Sequence, residues 1–129
     1  MLVVGRFDPA TRELRWAAAG QVAPIRYGAD RRGSVLRGPL GLPLGSAPEV
    51  GYHDATVTLD EGDRVLFYTD GLVKADRRRA GALDVLLRAG IESDLTDLEA
   101  LVGHITTKLG ARPEEDMCAM LVKVTTAGC

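Results

Sequence analysis

The hydrophobic pattern of this chain is typical of strands before residue 71, and of two helices and a final strand after it. Polar and apolar positions alternate from Glu13 to Ala19, which predicts a strand with one buried face. The run from Val65 to Tyr68 is apolar throughout and rich in β-branched and aromatic residues, which predicts a short strand buried on both faces. This strand follows turn-forming residues at 60–63 and delivers Asp70 directly into Gly71.

The N-terminal segment has the pattern of a β-hairpin. Leu2 to Phe7 is mostly apolar, and residues 8–12 carry a type I turn signal with a proline at the second position. In the alternating strand that follows, Leu14, Trp16 and Ala18 share the face that we expect to be buried.

Three more strands are predicted. Ile25 to Tyr27 is a short one, and Thr56 to Leu59 is expected to pair across the 60–62 turn with the strand at 65–68. The last runs from Met117 to Val124. Between them, residues 28–51 are rich in glycine and proline. A phosphate cradle is one interpretation, but these glycines do not follow a strand and open a helix, so we expect a packed loop or flap.

Two helices are predicted before the last strand. Leu83, Leu86 and Leu87 stand at helical spacing in the first. In the second, Thr96 and Glu99 have the spacing of a capping box and Gly110 supplies the C-terminal stop. Its apolar face consists of Leu98, Leu101, Val102, Ile105 and Leu109. Five strands, two helices and one strand predict a single α+β domain over residues 1–129, with a mostly antiparallel sheet and helices on one side.

Composition narrows the classes of partner. The chain has 16 basic and 18 acidic side chains, so its charge does not favour binding to nucleic acid or to an anionic membrane. No apolar run approaches the roughly 20 residues that span a bilayer, and the N-terminus does not have the pattern of a signal peptide. Cys118 and Cys129 form no disulfide framework, which favours a reduced, cytoplasmic setting.

The candidate chemistry lies in two groups of acidic residues. Asp70 ends the buried strand, and Glu114, Glu115 and Asp116 precede the last strand. If these strands are antiparallel neighbours, the carboxylates meet at one rim, where hard oxygen ligands suit Mg²⁺ or Mn²⁺. The alternative is two unrelated surface turns with solvated acids. His53 and His104 have no acidic or cysteine partner at ligand spacing and are interpreted as structural or exposed.

Four motifs, taken together, resemble the SpoIIE-type branch of the PPM metal-dependent protein phosphatases. They occur in the family's order and spacing, and the third, from Gly-Asp-Arg to Tyr-Thr-Asp-Gly, is highly specific. The motifs lie at residues 14–20, 41–45, 59–73 and 114–122. They match only the C-terminal half of the family's domain.

The resemblance implies a β-sandwich flanked by helices, with two Mn²⁺ or Mg²⁺ ions at one edge. It implies hydrolysis of phosphoserine or phosphothreonine by a metal-bridging water, on a phosphorylated anti-anti-sigma protein in a partner switch that controls a sigma factor. Asp70 matches a metal-binding residue next to Gly71 at the metal rim. The family's final acidic pair falls on Glu115 and Asp116.

Two departures from the family pattern matter. The motifs of the N-terminal half, including the ligand that bridges both metals, have no counterpart in this sequence. Glu115 stands where the family usually has aspartate, and its extra methylene shifts the carboxylate. We therefore expect either a phosphatase that needs the complementary N-terminal half or a non-catalytic binding module. Half a sandwich also exposes apolar surface and sheet edges, which predicts self-association.

Overall fold

The computed structural model describes residues 2–20, 22–48, 51–72, 81–110 and 117–125. These residues form two β-sheets and a pair of helices, which confirms the predicted α+β class. The elements are β1 (Leu2–Asp8), β2 (Glu13–Ala19), β3 (Ile25–Tyr27), β4 (Gly33–Val35), β5 (Leu40–Gly41), β6 (Ala55–Thr58), β7 (Arg64–Tyr68), α1 (Ala82–Glu92), α2 (Leu98–Leu109) and β8 (Ala119–Lys123).

The two sheets are built around β2 and β7. In the first sheet β2 pairs antiparallel with β1 on one side, and on the other side with β6 (antiparallel) and β5 (parallel). The second sheet has the order β4-β3-β7-β8 and is antiparallel throughout. Among the described strands, β1 therefore lies at one edge of the first sheet and β5 and β6 at the other, while β4 and β8 are the edges of the second sheet.

The N-terminal hairpin forms as predicted. Its register runs from Leu2 opposite Ala19 to Asp8 opposite Glu13, and Asp8 Oδ1 accepts the amide of Ala10 at 2.9 Å inside the turn. The predicted inner face of β2 is buried, because this face packs against the second sheet. It consists of Leu14, Trp16 and Ala18.

The strand β7 is the centre of the molecule and is buried on both faces, as its apolar run predicts. Leu66 and Tyr68 belong to the core that the second sheet shares with α1 and α2. Val65, with Phe67 packed beside it, belongs to the core between the two sheets. Both helices therefore cover one face of the second sheet, and the first sheet covers the other.

The helix α2 ends where expected, but it begins one residue later than its capping signal predicts. Its N-cap is Asp97, whose Oδ1 accepts the amides of Glu99 at 3.0 Å and Ala100 at 3.2 Å. Thr96 instead hydrogen-bonds through its hydroxyl and amide to Asp94 Oδ1, which lowers the pKa of Asp94. A carboxylate one position on thus replaces the predicted threonine cap. At the other end Gly110 adopts φ 63°, as a C-terminal stop does.

One predicted pairing is wrong. β6 does not pair with β7 but with β2, in the other sheet, with Thr58 opposite Glu13. The 60–63 turn connects the two sheets, because the residues at its two ends form backbone hydrogen bonds with different parts of the chain. The amide of Leu59 donates to Arg12 O at 2.8 Å, and that of Gly62 donates to Val124 O at 2.8 Å.

The described part of the glycine-rich segment adds two short strands that were not predicted, β4 and β5. It is less packed than expected, because Leu36 is its only buried described residue and Leu40 and Leu42 are more than half exposed. The amide of Gly20 donates to Gly41 O at 2.8 Å, which ties this segment to β2. A Cβ at Gly38 would stand 2.6 Å from Ala55 Cβ and 2.9 Å from Trp16 Cζ2, so close packing explains glycine there.

Neither α1, with 11 residues, nor α2, with 12, has the length and apolar character needed to cross a membrane, and no other helix of the described residues does.

Candidate metal centre

The candidate site is built on the end of β7, a strand held on both sides. β3 pairs with it at Ile25–Leu66, and β8 pairs with it up to Ala119–Tyr68. Asp70 opens a single 3₁₀ turn that ends at Leu72, which is 1% exposed and packs in the helix-side core. Asp70 is half-buried, and Gly71 beside it is buried. A carboxylate therefore stands at the rim of a rigid sheet.

Thr69 joins this rim to the beginning of β8. Its amide donates to Cys118 O at 3.0 Å, and its Oγ1 accepts the amide of Cys118 at 2.9 Å. The Thr69 hydroxyl also lies 3.4 Å from Cys118 O, to which it donates. The carbonyl of Thr69 accepts the amide of Leu72 at 3.1 Å and so belongs to the turn that carries Asp70.

The condition for the two acidic groups to meet is fulfilled, because β7 and β8 are antiparallel neighbours. Asp116 and Glu115 themselves lie outside the described residues. Their convergence with Asp70 remains a prediction from this neighbourhood.

The described residues supply only part of a metal-ligand set. Asp70 offers the hard oxygen donors that Mg²⁺ and Mn²⁺ prefer. No group of three or more histidine, cysteine or acidic side chains that could hold an ion occurs in the described ranges. A complete donor set at this rim therefore requires residues from outside them.

Two other groups near the core have structural roles. His104 Nε2 lies 3.0 Å from Glu92 Oε2 and joins α2 to α1, as its structural interpretation expects. Burial raises the pKa of Tyr68 to about 12, so this hydroxyl stays neutral at ordinary pH.

Two features of the described structure were missed in the sequence. One is the ion pair of Arg26 with Asp63 at the start of β7, for which the Gly-Asp-Arg motif is the signal. The other is an apolar cleft of about 180 Å³ between the two sheets, open between the edge strands β1 and β8. Its lining includes Val3, Phe7, Phe67, Met120 and Val122. No local sequence signal marks the cleft, because it depends on which strands end up at the edges.

The sequence matches a family model over residues 1–125, nearly the whole chain. The model is that of stage II sporulation protein E, SpoIIE. The chain belongs to the SpoIIE family. The resemblance drawn from the four motifs is therefore confirmed.

Solved structures support the same fold. The phosphatase domain of SpoIIE from Bacillus subtilis, presoaked with Mn, superposes with a TM-score of 0.78 at 13% identity. The structure of the RsbU and RsbW domains of Rv1364c from Mycobacterium tuberculosis gives 0.70 at 20% identity, with 98% of this chain and 36% of that one covered. RsbX in complex with magnesium gives 0.57 at 17% identity, with 92% of this chain and 53% of that one covered.

These matches differ in length from the chain described here. The superposition on the Mn-presoaked SpoIIE domain covers 99% of this chain but 58% of that domain. The chain thus spans somewhat more than half of the phosphatase domain that it resembles.

Proposed function

We propose that this chain is the C-terminal half of a SpoIIE-type phosphatase domain that hydrolyses phosphoserine or phosphothreonine on a regulatory protein. The observation that carries the proposal is the position of Asp70. It follows a doubly buried strand, at the rim where the neighbouring strand begins, inside a chain of the SpoIIE family.

The proposed ligands are Asp70, Glu115 and Asp116, with the backbone of Gly71 at the rim. A bound Mn²⁺ or Mg²⁺ supplies activation of water and neutralises phosphate charge. The chain's own contribution is to hold Asp70 at a fixed point, since β7 is paired on both sides and packed on both faces. Glu115 in place of aspartate favours an ion that tolerates a displaced ligand, such as Mn²⁺, over Mg²⁺, which requires a near-ideal octahedron.

Catalysis requires the complementary half of the domain in this proposal. The apolar cleft and the outer edges of β1 and β8 are the surfaces for it to cover. The substrate we propose is a phosphorylated anti-anti-sigma-type protein of a partner switch, in keeping with matched structures named RsbU, RsbW and RsbX.

A non-catalytic binding module is the second candidate. It is favoured by Glu115, which departs from the usual aspartate, and by motifs that match only half of the domain. Such a module would dock the same phosphoprotein without hydrolysing it.

Hydrolysis of an aryl phosphate and then of a phosphoserine protein separates the two candidates. The purified chain is assayed alone and with the N-terminal half of a SpoIIE-type domain, with and without Mn²⁺. We expect background turnover by the chain alone and Mn²⁺-dependent turnover by the pair, lost in Asp70→Asn and retained in Asp84→Asn, an exposed control on α1. A stable pair without Mn²⁺-dependent turnover would leave the binding module.

The ligand assignment has its own test. Asp70→Asn should weaken Mn²⁺ binding more than Glu114→Gln, because Glu114 is not among the proposed ligands. Equal effects of the two substitutions would show that the assignment is wrong.

A further inference from the structure

We propose that the hydroxyl of Thr69 is a positioning group for Asp70. It locks the end of β7 to the beginning of β8 and leaves the Thr69 carbonyl free to form the turn that holds the Asp70 carboxylate. This inference rests on the proposed function, because Thr69 would affect metal binding only through its effect on the position of Asp70.

The hydrogen bonds between Thr69 and Cys118 depart from the regular ladder in one respect. In an antiparallel sheet, residues of a hydrogen-bonded pair exchange two backbone bonds, each amide donating to the other's carbonyl. Here the amide of Thr69 donates to Cys118 O at 3.0 Å, as the ladder requires. The amide of Cys118, however, donates at 2.9 Å to the side-chain Oγ1 of Thr69 and not to its carbonyl.

Because the Cys118 amide binds the side chain of Thr69, the carbonyl of Thr69 is available to another donor. It accepts the amide of Leu72 at 3.1 Å, which closes the 3₁₀ turn beginning at Asp70. A strand that simply continued the ladder would direct this carbonyl toward the Cys118 amide, away from the turn at Asp70. Through its side chain, Thr69 can end strand β7 and still bind Cys118 on the neighbouring chain segment.

The hydrogen bonds between Thr69 and Cys118 affect the position of Asp70 more than the global stability of the protein. Cys118 is exposed, so water can replace the lost acceptor if the hydroxyl is removed. What would be lost is the coupling between the Asp70 turn and the beginning of β8.

The test compares Thr69→Val, which keeps the shape but not the hydroxyl, with Thr69→Ser, which keeps the hydroxyl. Amide exchange of Cys118 by NMR reports the lock, and broadening of the Gly71 amide signal by Mn²⁺ reports metal binding at the rim. We expect Thr69→Val to speed Cys118 exchange and to raise the half-saturating Mn²⁺ concentration, each about three- to tenfold, the usual worth of a neutral hydrogen bond. Thr69→Ser should stay near the wild type in both.

Two controls keep the outcomes distinct. Thr106→Val removes a threonine hydroxyl that donates to Gly103 O within α2, and it should change neither readout. Thr69→Ala repeats the comparison without the branched side chain if the valine variant does not fold.

The results separate the inference from the proposed function. If Mn²⁺ broadens Gly71 in the wild type, Asp70→Asn abolishes this and Thr69→Val leaves it unchanged, the positioning role is overturned and the metal site stands. Unchanged Cys118 exchange in Thr69→Val overturns it as well. If wild type and Asp70→Asn respond to Mn²⁺ alike, the proposed function fails and the positioning role falls with it.

Discussion

Arg26 Nε donates to Asp63 Oδ2 at 2.8 Å and so joins β3 to the turn that precedes β7. Among the described residues Asp63 is the only buried charged side chain, at 3% exposure. The same oxygen accepts the amide of Asp60 at 2.8 Å, and Arg26 Nη2 also reaches Asp60 Oδ2 at 3.3 Å. The Asp63 carboxylate thus holds both the 60–63 turn and the start of β7, the strand that leads to Asp70.

We expect Arg26→Leu to lower the free energy of unfolding by about 3 kcal/mol, because it leaves the Asp63 carboxylate buried without its cation. Urea denaturation measures the change. The control is Arg15→Leu, which removes ion pairs with Glu13 and Asp54 that are more than two-fifths exposed, and should cost about 0–1 kcal/mol. Similar losses in both variants would contradict the buried role of the Arg26 pair.

Two helical glycines should respond in opposite directions to alanine. A Cβ at Gly90 in α1 would stand 2.2 Å from Arg31 O and 2.7 Å from Tyr27 Cδ1, so Gly90→Ala should destabilise the protein by at least about 1–3 kcal/mol. Nothing lies within 4 Å of a Cβ at Gly103 in α2, so Gly103→Ala should stabilise by about 0.5–1 kcal/mol. Thermal unfolding followed by circular dichroism checks both. Stabilisation by Gly90→Ala would contradict the close packing at Gly90, and destabilisation by Gly103→Ala would contradict the open space at Gly103.

The N-cap of α2 distinguishes the structure from the sequence signal. Asp97→Ala removes the acceptor of two amides and should cost about 1 kcal/mol, whereas Asp97→Asn should keep most of the stability. Thr96→Ala should cost less than about 0.5 kcal/mol, because its hydroxyl bonds to Asp94 outside the helix. Urea denaturation measures these changes. A larger loss of stability in Thr96→Ala than in Asp97→Ala would show that Thr96 is the N-cap, as the sequence predicts.

Alkaline pH should destabilise the protein, and Tyr68 should contribute to this loss of stability. Burial raises its pKa from 10.0 to about 12, so the folded state disfavours the phenolate. The stability from this group is therefore fully present below pH 10.0 and is lost as the pH rises toward about 12. In Tyr68→Phe the stability measured across this window by urea denaturation should fall less steeply than in the wild type. Parallel pH profiles would contradict the shift.

The cleft between β1 and β8 predicts self-association of the chain when no complementary half is present. Met120 and Val122 line it and are 54% and 36% exposed, and the outer edges of β1 and β8 bind no other described strand. Light scattering across micromolar concentrations should detect dimers or larger species, reduced in Met120→Lys but not in Leu83→Lys, a similarly exposed apolar position on α1. A monomer at all these concentrations would contradict the prediction.

Local patterns predicted the elements better than their partners. The alternation at 13–19 and the turn at 8–12 were sufficient for the hairpin, because neighbouring strands joined by a short turn pair with each other. The same logic failed for β6 and β7. There, Asp63 is paired with Arg26, far away in sequence, and the turn carries the chain into the other sheet.

The sequence by itself determined the family, the α+β class and the character of β7, a strand that is buried on both faces and leads into Asp70. Continuous apolar character and an Asp-Gly ending are local properties, and the four motifs carry their order with them. Only the tertiary structure decided that β8 lies beside β7, that Thr69 bonds to Cys118, and that β1 and β8 stand at open edges. These depend on contacts between residues far apart in the chain, and a period of two or 3.6 residues carries no information about them.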